Sequence, residues 1–265
     1  MNQDCALLLT DLVDSTSVSA AVGDVAMSRV WQAHDRAARH LLRDWRGREI
    51  DKSDGFLLLF DDAADAIGYA IAYHRCLAAL EVPLQARAGL HVGPVTLRQN
   101  DSEDVALGAK PVEVDGLAKA VAARAMSVAQ PGQTLLTATA SAAAVDTQWR
   151  RQSHGHWRLK GLEHPIELIE VGDAEAPFTP PGDTEKAYRV VQRDDLWLPL
   201  REVRHNLPPE RDAFVGRRYA LRDLVQRFDS GSRLVSVLGI GGSGKTRLAQ
   251  RFGWTWLGEF PGGVW

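Results

Sequence analysis

At 265 residues, 45% hydrophobic and 25% charged, the chain is long enough for one large domain or two ordinary ones and has the composition of a soluble globular protein. Its net charge of -3 argues against a nucleic-acid binder that works by bulk positive charge. No apolar run approaches the roughly 18 residues of a membrane span, and Met1-Asn2-Gln3-Asp4 lacks a signal-peptide layout, so a cytoplasmic protein with no membrane partner is expected.

In chain order, Cys5-Ala6-Leu7-Leu8-Leu9 predicts a buried strand, closed by Thr10-Asp11-Leu12-Val13-Asp14-Ser15-Thr16. Val30, Ala33, Ala37, Leu41, Leu42 and Trp45 have helical spacing. Gly55 to Phe60 is a second apolar strand with Asp54 at its start. Ala63 to Leu80 is a helix, and Leu84 to Leu97 a strand interrupted at Gly93-Pro94. Leu117 to Ala129 is a helix, followed by the strand Thr134-Leu135-Leu136. Trp157-Arg158-Leu159 and Ile166-Glu167-Leu168-Ile169 read as a terminal hairpin. Helices between unevenly spaced strands predict an α/β (α+β) sandwich over residues 1–172, not a strictly doubly wound sheet. The cysteines, Cys5 and Cys76, form no disulfide framework or metal set.

Two carboxylates at the ends of buried strands, Asp11 and Asp54, can lie side by side in a sheet. Their hard oxygens suit Mg²⁺ or Mn²⁺ held against a triphosphate. Ser15 and Thr16 start the next helix, where backbone amides face anions. Taken singly, each aspartate is an ordinary helix-cap or turn residue. His91 reads as a structural histidine within a strand.

Six of the twelve prolines fall between Pro177 and Pro209, which predicts a linker over 173–212 with a short ordered piece at Leu196-Trp197-Leu198. Beyond it, Leu221, Leu224, Val225 and Phe228 mark a helix face, and Leu234 to Leu238 predicts a buried strand. That strand leads into Gly239-Ile240-Gly241-Gly242-Ser243-Gly244-Lys245-Thr246, a complete P-loop pattern. The glycines let backbone amides curl around phosphates, Lys245 neutralises the β/γ-phosphates and Thr246 ligates magnesium. With Phe214-Val215-Gly216-Arg217 ahead of it, residues 213–265 resemble the first part of a signal-transduction P-loop ATPase of NB-ARC or LuxR-regulator type. No Walker B strand follows before Trp265, so an incomplete NTPase domain is expected, with further C-terminal domains in a longer protein.

Residues 4–171 resemble the class III adenylyl/guanylyl cyclase catalytic domain. The resemblance rests on Leu9 to Thr16, Ser53-Asp54-Gly55-Phe56, Arg87-Ala88-Gly89-Leu90-His91-Val92-Gly93, Ala122-Ala123-Arg124, Pro131-Gly132-Gln133 and Leu159-Lys160-Gly161-Leu162, in the family's order. It implies a ferredoxin-like core that forms a homodimer with shared sites, two metal ions per site, and conversion of ATP to 3′,5′-cyclic AMP and pyrophosphate. It implies that Asp11 and Asp54 are the metal aspartates, with the Leu12 carbonyl as a further oxygen, and that Arg124 stabilises the transition state. Asp14 stands where a glycine is common beside the triphosphate. The ribose-positioning Asn is replaced by Ala120. The base-reading lysine position holds Ile50; Lys52, two residues on, is expected on the same strand face. The partner base-reading position falls at Glu113, with Asp115 nearby; either accepts from an adenine amino group and favours ATP. The alternative is a cyclase-fold nucleotide-binding and dimerisation sensor that does not turn over.

Overall fold

A computed structural model describes residues 2–145, 148–175, 177–210 and 212–265. They fall into two compact units that divide between Tyr188 and Arg189. Elements of the first are β1 (Asn2–Leu12), α1 (Ser15–Val22), α2 (Asp24–Asp44), β2 (Arg48–Lys52), β3 (Phe56–Phe60), α3 (Ala63–Ala78), β4 (Ala86–Gln99) and α4 (Ser102–Ala106). There follow β5 (Val112–Asp115), α5 (Leu117–Val128), β6 (Thr134–Thr137), α6 (Ala138–Ala143), β7 (Arg150–Leu159) and β8 (Ile166–Gly172), with β9 (Ala187–Arg193) beginning at the unit's end. The strand order is β9-β7-β8-β6-β4-β1-β3-β2, and β5 pairs with β4. β6 runs parallel to β4 after the α5 crossover; β1 runs antiparallel to both β3 and β4. This is the expected α/β sandwich.

Both faces of β1 are covered, which is why its sequence is a continuous apolar run and not an alternating one. Ala6, Leu8 and Leu12 join a core with Met27, Ala38 and Leu42 of α2 and Ile67, Tyr69 and Tyr73 of α3. Cys5, Leu7 and Leu9 join Leu57 and Leu59 of β3 and Ala118 and Ala122 of α5 on the opposite face. Leu7 and Leu8 have no exposed surface, and each contributes about 2 kcal/mol by burial. α5 lies close on β4 because position 89 has no side chain: a Cβ on Gly89 would sit 2.4 Å from the Ala122 carbonyl oxygen. β4 is not interrupted at Gly93-Pro94. β6 pairs only with Ala88–Leu90 and β5 only with Thr96–Gln99, so one side of the strand is unpaired at Pro94, where a missing N–H is tolerated.

Part of the stretch expected as linker is ordered on this unit. Gln133 Nε2 donates to the Thr179 carbonyl at 2.7 Å, Glu170 accepts from the Thr179 amide at 3.2 Å, and the Gly182 amide donates to the Val128 carbonyl at 3.0 Å.

The second unit holds the rest of β9 paired with β10 (Leu196–Pro199), then α7 (Arg218–Asp229) and α8 (Lys245–Thr255). Phe252 stacks on Phe228 (5.3 Å) and on Trp256 (5.1 Å), and Leu248, Trp256 and Leu257 are buried. Arg251 of α8 is paired with Asp195 at 2.8 Å and Glu210 at 2.5 Å. The buried strand expected at Leu234–Leu238 is not formed. No strand among the described residues pairs with it, and Leu234 and Leu238 are 87% and 91% exposed. An apolar run becomes a strand only when a neighbour takes up its backbone groups.

Candidate active site

Asp11 and Asp54 reach one place by two routes. Asp11 is the penultimate residue of β1; Asp54 lies in the turn between β2 and β3. The β1–β3 register, Leu9 opposite Leu57, continues to Thr10 beside Phe56, whose amide donates to Thr10 Oγ1 at 2.9 Å. Gly55 presses so close that a Cβ there would sit 1.9 Å from the Thr10 carbonyl oxygen. The turn carrying Asp54 therefore lies directly against Thr10 and Asp11. Ser15, the first residue of α1, donates its hydroxyl to Asp54 Oδ2 at 3.4 Å, so the helix start joins the same cluster.

Asp14 caps α1 in the left-handed region with φ 55°. A glycine takes that conformation without strain; aspartate is among the few side chains that tolerate it. Its side chain makes no capping hydrogen bond, so it does not take up the amides at the start of α1, where Ser15 and Thr16 lie.

Asp11 projects on the α5 face of the sheet. Its Oδ2 accepts from Arg87 Nε at 2.9 Å and Nη2 at 2.7 Å, across the β1–β4 register. Arg87 has no role readable from the Arg87–Gly93 motif alone; its hold on Asp11 comes from the pairing of β4 with β1.

Among the described residues, no hydrogen bond or ion pair links the other expected site residues to Asp11 or Asp54. Lys52 is not on the face of Ile50. A bulge separates Glu49, opposite Leu58, from Asp51, opposite Leu57, so the two-residue alternation is broken at Ile50. Ile50 packs with Leu57 and Leu59 towards α5, whereas Lys52 lies opposite Phe56 and pairs with Asp35 of α2 at 3.2 Å. Glu113 and Asp115 are held by Arg98 of β4: Arg98 Nη2 bonds Glu113 Oε2, and its Nε donates to Asp115 at 3.4 Å. Asn100 also reaches Glu113 at 3.4 Å. Both carboxylates thus already have donors. Arg124 lies on α5 four residues after the exposed Ala120, and its Nε is buried with no hydrogen-bond partner. A buried guanidinium nitrogen without an acceptor is suited to an incoming anion.

His91 is half-buried and bonded through Nδ1 to Thr137 Oγ1 at 2.9 Å. Burial pushes its pKa down to about 4, so it is neutral at pH 7 and acts in packing.

In the second unit, Gly244 takes φ 77° and caps α8, a left-handed conformation that glycine adopts without strain. Lys245 Nζ donates to the carbonyls of Gly239 and Ile240, both at 2.9 Å, folding back over its own loop. Arg217 reaches the Ser243 carbonyl. Gly241, Gly242 and Thr246 are exposed.

The donor set at Asp11 and Asp54 fits divalent ions of the hard type. Among the described residues no cluster of three or more His, Cys, Asp or Glu offers a complete protein cage. Two carboxylates and the Leu12 carbonyl are what Mg²⁺ needs when substrate phosphates and water supply the rest. No helix of the described residues is long and apolar enough to cross a membrane.

No family model matches the sequence, and no curated protein sequence does. The fold is similar to that of an adenylate cyclase from Trypanosoma brucei described in its monomeric state. The likeness has 21% identity, covers 67% of this chain and 92% of that one, and has a TM-score of 0.59. It is also similar to the adenylyl cyclase CyaB from P. aeruginosa, with 16% identity, 68% and 100% of the two chains covered, and a TM-score of 0.57. A third likeness is to the guanylate cyclase domain of RhGC from Catenaria anguillulae in complex with GTP, with 15% identity, 64% and 96% covered, and a TM-score of 0.57. The architecture is that of nucleotidyl cyclase catalytic domains.

Proposed function

We propose that residues 1–172 are a class III nucleotidyl cyclase domain that converts ATP to 3′,5′-cyclic AMP and pyrophosphate in intracellular signalling, with a P-loop module at 213–265 as its ATP-binding regulator. The observation that carries the reading is the packing of the Asp54 turn against Thr10-Asp11, with Ser15 joining from α1. It sets two carboxylates beside a helix start, an arrangement made for a metal-bound triphosphate.

In the reaction, the ribose 3′-oxygen bonds to the α-phosphorus, the bond to the β-phosphate breaks, pyrophosphate leaves and the hydroxyl proton passes to water. Asp11, Asp54 and the Leu12 carbonyl would hold two Mg²⁺ or Mn²⁺ ions, which would supply Lewis-acid activation of the hydroxyl and offset the leaving-group charge. The amides of Ser15 and Thr16, at the positive end of α1, bind phosphate. Arg87 neutralises Asp11 until substrate arrives. Among the described residues no ion pair joins Arg124 to a carboxylate, and its buried Nε has no partner; in a dimer it would serve the site of the second copy and place positive charge on the phosphate as charge builds there. ATP over GTP rests on Glu113 and Asp115, which reach an adenine amino group only after leaving Arg98.

The P-loop reading rests on the left-handed Gly244 cap and on Lys245, which holds two carbonyls that a phosphate would replace. A second reading, nucleotide binding and dimerisation without turnover, is favoured by Ala120, which offers no hydrogen bond to the ribose. Incubation with ATP or GTP and Mn²⁺, followed by chromatography, separates the two. Cyclic AMP and pyrophosphate in equal amounts support the cyclase; bound but unchanged nucleotide supports the sensor.

A further inference from the structure

Residues 178–187 are tied to the end of α5 and to the turn at 130–133 that follows it, mostly through their backbone. Thr179 supplies two of the bonds: its carbonyl accepts from Gln133 Nε2 at 2.7 Å, and its amide donates to Glu170 Oε2 at 3.2 Å. His154 Nε2 lies 2.7 Å from the same Glu170 oxygen. The Gly182 amide donates to the carbonyl of Val128, the last residue of α5, at 3.0 Å. Arg150 sits over the Phe178 ring, 4.8 Å from its centroid. Further on, the Lys160 amide donates to the Lys186 carbonyl at 2.8 Å, and the fully buried Ala187 packs with Val121, Ala125 and Val128 of α5.

The receiving groups are built into the domain. Gln133, Glu170 and His154 are 3%, 5% and 9% exposed. Both ends of the Gln133 side-chain amide are used: Oε1 accepts from the Gln130 backbone amide at 2.9 Å, while Nε2 serves Thr179. If the segment left, Nε2 would be a buried donor without its acceptor, which costs its desolvation. The Val128 carbonyl would return to the unpaired state of a helix end. The same turn grips β4 on both sides of Arg87: the Gly132 amide donates to the Ala86 carbonyl at 2.8 Å, and the Ala88 amide to the Gln133 carbonyl at 2.9 Å. Arg87 holds Asp11, and α5, which enters the turn from its other side, carries Arg124. The segment itself is lightly built. Residues 178–186 form no helix or strand, and Thr179 and Pro180 are exposed. Few bonds and little apolar burial mark a piece of chain that opens locally before the domain unfolds.

We propose that residues 178–187 are a latch that positions the candidate active site. Docked, they hold the 130–133 turn, and with it the Arg87 end of β4 and the helix of Arg124. Thr179 and Gly182 are positioning residues that act through Gln133 and Val128. The effect on rate rests on the proposed cyclase reading, but the latch itself is read by hydrogen exchange. The chain continues from the latch through β9 into the second unit, so this segment is also the one that joins that unit to the cyclase domain.

The experiment is hydrogen exchange resolved to single amides on the full chain, with cyclic AMP kinetics on the same proteins. It compares wild type with the double variant Phe178→Ala, Gly182→Pro, which removes the ring under Arg150 and the amide on Val128. Both changes lie in the latch, outside the core. The Thr179 amide is expected to exchange about tenfold faster in the variant, and the amides of Gln130, Gly132 and Gln133 to follow, while those of the β1–β3 ladder stay as in wild type. The kcat is expected to fall about tenfold with KM for ATP within about twofold, since misplaced groups slow the reaction more than they weaken binding. A Thr179 amide that exchanges at the wild-type rate would overturn the proposal. So would a freed Thr179 with unchanged exchange at 130–133, or a loosened turn with unchanged kcat, either of which makes the segment a mere cover. Should the double variant not fold, Gly182→Pro alone reads the same amides. Failure of the cyclase reading shows separately, as a wild type that yields no cyclic nucleotide while the turn still loosens in the variant, and the latch on the turn then stands.

Discussion

Replacing Gly55 with alanine tests the seam on which the site depends. The added Cβ would lie 1.9 Å from the Thr10 carbonyl oxygen, 2.4 Å from its carbon and 2.8 Å from the Asp11 nitrogen. All three are backbone atoms of a central strand and none can swing aside. Ordinary non-bonded contact begins at about 3.5 Å, so the turn must retreat by more than about 1 Å. That displacement takes the 2.9 Å bond from Phe56 N to Thr10 Oγ1 out of range. Overpacking of this kind costs about 2 kcal/mol and the lost hydrogen bond about 1 kcal/mol. For a domain of this size the sum of about 3 kcal/mol lowers the melting temperature by roughly 6–12 °C. The retreat also carries Asp54 away from Asp11, so Mn²⁺ binding should fall at temperatures where the variant is still folded. Thermal melts by circular dichroism and a Mn²⁺ titration read the two effects. A Gly55→Ala protein that melts with wild type and binds Mn²⁺ as well would refute the close-approach argument.

His74 and His91 are both held neutral by burial, with pKa pushed down to about 4 against 6.5 when unfolded. The unfolded chain therefore binds more protons between these values, and stability falls as pH drops through that window. At pH 5 the loss is at most about 2 kcal/mol for each histidine relative to pH 7.5; urea midpoints should show it, and His74→Gln with His91→Gln should flatten it. A wild type whose midpoint is the same at both pH values would contradict the burial. Ala120→Asn adds a donor and an acceptor four residues before Arg124 on α5 and should raise cyclic AMP formation by about tenfold; an unimproved rate in an active enzyme would show that another group already holds the ribose. In a protein carrying Asp11→Asn and Asp54→Asn, Lys245→Ala should weaken residual ATP binding by at least about tenfold in calorimetry, and unchanged binding would sink the P-loop reading.

The apolar runs at Cys5–Leu9 and Gly55–Phe60 made the central strands legible, because strands buried on both faces have no alternation to lose. The ends of those runs carry Asp11 and Asp54, and the approach of Gly55 to the Thr10 carbonyl and the Asp11 nitrogen sets the two backbones side by side. The face of Lys52 was not legible, since counting by two presumes an unbroken strand and Ile50 is a bulge. The engagement of Asp11 by Arg87, and of Glu113 and Asp115 by Arg98, depends on which strands are neighbours and in what register, and one strand's sequence does not say. The run Leu234–Leu238 looked like a strand for the same local reasons as Cys5–Leu9, but only the latter has strands beside it.

The central claim is that the Asp11–Asp54 pair drives cyclisation, and it is tested most directly by the rate of cyclic AMP release from ATP with saturating Mn²⁺. Wild type is compared with Asp11→Asn and with Asp54→Asn, all three confirmed folded by their melts. The account predicts a measurable rate in wild type and none above background in either variant, since amides cannot replace two carboxylates as hard anionic ligands. A single variant that retains most of the wild-type rate would contradict it.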